Sequence, residues 1–171
     1  MSDAVRTLPD MTATTQSDGG QTEPDGVMGR IGEAIALGQQ GQRAEARAAF
    51  AGIWAEIGDD GEPLHRCTLA HHMADVQDDP SEELAWDLRA LAAAESVTDD
   101  AAASAGATGP VAAFYPSLHL NLGEDYRKLG NAAGARRHLD LGTQAVSFLG
   151  DDPYSSMIKA GLAGLAERLS S

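Results

Sequence analysis

Two segments of this 171-residue chain align without a gap, and they restrict its fold more than any other feature. Gln40-Gly41-Gln42-Arg43-Ala44-Glu45-Ala46 and Leu129-Gly130-Asn131-Ala132-Ala133-Gly134-Ala135 each run from a helix end at glycine, through a short turn, into a second helix. In both, Ala lies five residues beyond the glycine and a large apolar residue, Phe50 or Leu139, four beyond that. Glycine supplies the left-handed backbone that ends a helix. The small residue lets the second helix cross close to the first, and the large one fills the gap a turn later. One such helix pair cannot bury its own apolar face, so the pattern predicts a stack of pairs.

Helical periodicity carries the same reading along the chain. It begins at Val27, with Val27, Ile31, Ala34 and Ile35 on one stripe, and resumes after Gly41 with Ala46, Phe50, Ile53 and Ile57. Pro63 suits the first turn of a third helix, where its missing N–H costs nothing. Asp79-Pro80 is a cap followed by a helix-opening proline; the fourth helix is expected to turn Leu84, Leu88 and Leu91 to the core. Residues 97–109 read as a long loop. A fifth helix, starting at Val111 or at Pro116, runs to Gly130, and a sixth from about Ala132 to Leu149. Asp152-Pro153 opens a seventh, Tyr154 to Leu169. No strand is expected. Residues 1–26, rich in Thr, Ser, Asp and Gly, are expected to form a disordered tail.

The segment Leu118 to Leu139 resembles the tetratricopeptide repeat, a helix-turn-helix unit with a fixed pattern of small and large residues. Leu122, Gly123, Tyr126, Gly130, Ala135 and Leu139 stand at family positions; His119 stands where tryptophan is usual and Gly142 where alanine is. A first unit keeps Gly41, Ala46 and Phe50, and a middle unit keeps Leu69, Ala70 and Met73. The resemblance implies an all-α, antiparallel helix-pair solenoid with about three units (27–58, 63–95, 111–150) and a capping helix at 153–169. It also implies an interaction scaffold that takes a peptide or partner protein in a concave groove.

Composition narrows the partners. The net charge of −14 disfavours nucleic acid, whose phosphates would be repelled. Cys67 is the only cysteine, so no internal disulfide can form, and a cytoplasmic, reducing setting is expected. The N-terminus lacks the pattern of a secretory signal, and no apolar run is long enough to span a membrane. Ten arginines against two lysines, with abundant Ala, Gly and Asp, suggest a GC-rich bacterial genome. No pattern calls for a cofactor, and the oligomeric state is not legible.

The groove of the family is lined by the first helix of each unit. The resemblance places His71 and Asp75 of the second unit there, and Leu120, Glu124, Arg127 and Lys128 of the third. Arg127 or Lys128 would pair an acidic group of a partner, and Asp75 or Glu124 a basic one. The bland alternative is an internally neutralised surface with Glu124 and Lys128 as an i,i+4 pair. A rival reading gives His71, His72, Asp75 and His119 a ligand, metal or catalytic role, with Asp75 orienting His71. Asp87 and Arg89 cannot face each other on one helix, so His72 with Asp87, or Asp125 with Arg89, is expected to tie helices together.

Overall fold

The structure is a computed structural model that describes residues 26–107 and 109–170. The expected N-terminal tail lies outside the described residues, apart from Gly26, which opens the first helix. Among the described residues there are eight α-helices and no strand: α1 (Gly26–Gln39), α2 (Arg43–Ile57), α3 (Pro63–Asp75), α4 (Pro80–Ala94), α5 (Asp99–Ser104), α6 (Tyr115–Lys128), α7 (Ala132–Ala145) and α8 (Pro153–Ser170). They form an all-α helix-pair solenoid. Helices α1 and α2, α3 and α4, and α6 and α7 pack as consecutive pairs, and α8 closes the end against α6 and α7.

The turns explain the pairing. Gly41 and Gly130 have φ of 81° and 75°. At each, the next residue donates its N–H back across the turn: Gln42 to the Leu37 carbonyl (3.0 Å) and Asn131 to the Tyr126 carbonyl (2.8 Å). This is one C-terminal motif used twice, and it reverses the chain the same way both times. The helix starts are capped as well. Glu62 accepts from the His65 N–H (3.0 Å), Asp79 from Ser81 (2.7 Å) and Asn131 from Gly134 (2.9 Å).

Two apolar clusters hold the pairs together. The first gathers Ile31, Phe50 and Ile53 with Leu69, Met73 and Val76, so α1 and α2 grip α3. The second is thinner, with Cys67, Ala70, Ala90, Ala93, Ala94 and Leu118. Trp54 and Trp86 pack against both and meet edge to face with ring centroids 5.0 Å apart. In a chain that is 5% aromatic, this one contact spans the joint between clusters. Arg43 and Arg47 on α2 add a polar clamp at the end of α3, donating to the carbonyls of Asp75 (2.9 Å), Gln77 (2.7 Å) and Val76 (2.5 Å). They meet the negative end of that helix.

Two expectations are corrected, and one start left open is resolved. The 97–109 segment holds α5, capped by Thr98 and buried at Ala102, and Asp99 accepts the Val111 N–H at 2.7 Å. Alanines following a Thr cap make a helical turn where small residues suggested a loop. Leu88 is 41% exposed; α4 instead buries Asp87, Ala90, Ala93 and Ala94, because a tight crossing with α3 admits alanine and excludes leucine. The helix before Gly130 opens with a 3-10 turn, Val111–Phe114, that passes into α6 at Tyr115. Among the described residues no helix is long and apolar enough to cross a membrane.

Candidate functional site

A groove runs over the first helices of successive pairs. Its floor is a recess of about 240 Å³ where Ile35 and Gln39 of α1 face His72 and Asp75 of α3. His72 also borders a second recess of about 130 Å³, lined by Thr68 and His71 of α3, Phe114 and Ser117 before and on α6, and Tyr154 of α8. Phe114 and Tyr154 in turn border a wider recess of about 690 Å³, where Pro110 and Phe148 meet. Tyr154 is 50% and Phe148 51% exposed. The groove is thus polar at its middle and aromatic at the α8 end.

Within its middle, Asp75 links the two sides. His72 Nδ1 lies 3.5 Å from an Asp75 oxygen, and Asn121 of α6 reaches the other oxygen at 3.5 Å. Burial pushes the Asp75 carboxyl up, but these contacts and the nearby His71 together outweigh it and hold the group below its usual range. Asp75 is therefore an ionised acceptor on the groove wall. His71 turns the other way: its Nδ1 is buried, 3.5 Å from the Asp87 carboxylate behind it, while its ring borders the recess. Burial pushes the His71 imidazole down, so the ring is neutral near pH 7. The residue behind His71 is Asp87 of α4, and the expected partner Asp75 sits with His72 instead. Asp87 was expected to take His72; helix α3 rotates by one residue relative to that expectation.

The third-unit residues go elsewhere. Glu124 pairs with Arg127 (2.7 Å) and with Arg168 of α8, and Leu120 packs on Gly161 of α8. Lys128 pairs with Glu83 of α4 at 2.6 Å rather than with Glu124. Leu120, Glu124 and Lys128 thus seat α6 against its neighbours, Arg127 stays with Glu124 on its own helix, and Arg89 lies over the Trp86 ring at 4.5 Å rather than meeting Asp125. Sequence reasoning could not see this, because the face α8 covers depends on where α8 docks.

His119 also leaves the groove cluster. Its Nδ1 meets Nδ1 of His138 on α7 at 3.0 Å, and Tyr126 stacks on His138 at 5.4 Å. Two neutral imidazoles satisfy that geometry, one Nδ1 donating and the other accepting. Burial pushes both down, His119 to about 4, and the other ring and Arg137 add to the effect on His119. His138 was missed, though the buried stripe Ala135, His138, Gly142 carries it at helical spacing. Among the described residues, no group of three or more His, Cys, Asp or Glu side chains is placed to hold a metal ion. Cys67 is buried and burial pushes its thiol up to about 12, which makes it packing rather than a nucleophile.

Fold and groove together define a helix-pair solenoid with a lined groove along its first helices. No family model, curated protein or solved structure matches the chain.

Proposed function

We propose that the chain is a tetratricopeptide-repeat-like interaction module that holds a segment of a partner protein in this groove. The observation that carries the reading is the groove's lining: an ionised Asp75 with amide and imidazole donors beside it, then a shallow aromatic end at Phe114, Tyr154 and Phe148. Recesses of this size take one or two apolar side chains and leave the rest of a segment on the surface. With a net charge of −14 the partner segment is basic, with an apolar or aromatic anchor that seats between Phe114 and Tyr154.

The test is a peptide array of basic segments with and without an aromatic anchor, followed by titration of the best binder. Tyr154→Ala is expected to weaken binding by about tenfold, the share of one aromatic anchor, and Asp75→Asn by a similar factor with reduced salt dependence. Equal binding by both variants and the parent would sink the proposal. A second reading is favoured by His71, whose ring borders a recess while a buried carboxylate stands behind it. Native mass spectrometry of the purified chain showing a small molecule that His71→Ala releases would move the assignment to small-ligand binding or catalysis.

A further inference from the structure

The groove does not account for the polar groups buried behind it. Asp87 on α4 and Asp125 on α6 are 1% and 0% exposed, and all four of their carboxylate oxygens lack a hydrogen-bond donor. Two bare carboxylates there would each lose hydration, and each would repel the other. One proton resolves the conflict. A carboxyl O–H on one residue donates to the carboxylate of the other, so both gain a partner and the pair carries one charge instead of two.

We propose that Asp87 and Asp125 share a buried proton at neutral pH, and that this proton latches the second helix pair to the third. The position suits a latch, since α4 and α6 are the helices through which those pairs meet. Neighbouring groups do not supply the missing charge. From α3 the pair faces the neutral His71 imidazole, the Asp75 carboxylate and the buried Cys67 thiol; from α4 it faces Glu83; from α6 it faces Lys128 and the Asn121 amide. Lys128 is the single cation among these, and its ammonium sits 2.6 Å from Glu83 but 3.9 Å from Asp125. The pair is therefore left to a proton.

Burial is the first cause holding the proton on. It drives Asp87 well above the usual carboxylate range and, with the charge of Asp87 added, raises Asp125 to about 9. Carboxyls raised in the folded state stabilise it fully below their unfolded value near 4, and that contribution is lost as pH climbs through about 9. The lowered histidines act in the opposite sense, and only below their unfolded value of 6.5. Cys67 and Tyr115, both raised, act only above 9 and 10. Between pH 6.5 and 9 the acid pair is left as the shifted group that sets the slope. His71, with Nδ1 facing Asp87 and its ring at the groove, makes the latch sensitive to what occupies the groove.

The test follows unfolding by denaturant from pH 6.5 to 9 in the full chain and in the double variant Asp87→Asn/Asp125→Asn, which leaves no titrating group at the pair. The parent is expected to lose about tenfold in its folding equilibrium constant per pH unit, the slope of one proton, and the variant to be flat. Should the variant not fold, infrared spectra of the parent with isotope-labelled aspartate decide the matter. A protonated-carboxyl stretch present at pH 7 and gone at pH 10 supports the shared proton. A flat parent curve, absence of that band, or a divalent metal retained one to one by the purified chain would overturn it.

Discussion

At the scale of single residues, glycine and histidine positions carry the sharpest consequences. Gly130→Ala places a side chain at φ 75° and is expected to cost about 1 kcal/mol, although nothing crowds the site. Gly123→Ala is unfavourable for a different reason: the added methyl would lie 2.5 Å from Leu165, which is fully buried. Overpacking there costs about 1–3 kcal/mol, against about 1 kcal/mol gained in helix propensity, so a net loss is expected in thermal denaturation. His119 and His138 give a pH signature of their own. Their folded values are lowered, so the stability they contribute is full above pH 6.5 and is lost as pH falls towards about 4. Ring NMR is expected to show His119 titrating near 4; a midpoint at 6.5 would remove the paired, neutral imidazoles.

At the scale of elements, caps and end packing decide which helices hold. Asp79→Ala removes the acceptor for the Ser81 N–H and is expected to cost about 1 kcal/mol, read as a lower denaturation midpoint without a change in slope. The docking of α8 is the larger matter. Its own Ile158, Leu162 and Leu165 are buried, and Gly123, Gly142 and Gly161 are small because side chains of the facing helices occupy the space a methyl would take. Leu165→Ala is expected to cost about 2–5 kcal/mol and to speed hydrogen exchange in α7 and α8 before α1 and α2. Elements of this kind were largely legible in the sequence, because caps, glycine ends and periodicity are local signals. Helix α5 was not, since Thr98 and Ala102 act through a cap and a tertiary contact that composition hides. Leu88 was misplaced for a related reason: α4 offers both a leucine stripe and an alanine stripe, and only the crossing with α3 selects between them.

At the scale of the whole molecule, stability rests on joints between pairs more than on any one core. The Trp54–Trp86 contact bridges the two apolar clusters, so Trp86→Ala is expected to cost about 3 kcal/mol and to uncouple the unfolding of α1 and α2 from the rest. Hydrogen exchange resolved by helix would show this; uniform exchange across all helices would mean that the joint is not where cooperativity resides. The second joint packs the alanines of α4 on Leu118 and also buries the acid pair Asp87 and Asp125.

The sequence by itself determined the paired helices and most of their ends, since glycine turns, caps and apolar stripes act within a few residues. It also marked Asp87 as a group that needed a partner on another helix. The tertiary structure alone decided which side chains share the groove. His119 turned to His138, and Glu124 turned to α8, because the rotation of each helix about its axis is set by packing against neighbours far away in the chain. A face is a local property, but what covers it depends on the whole stack.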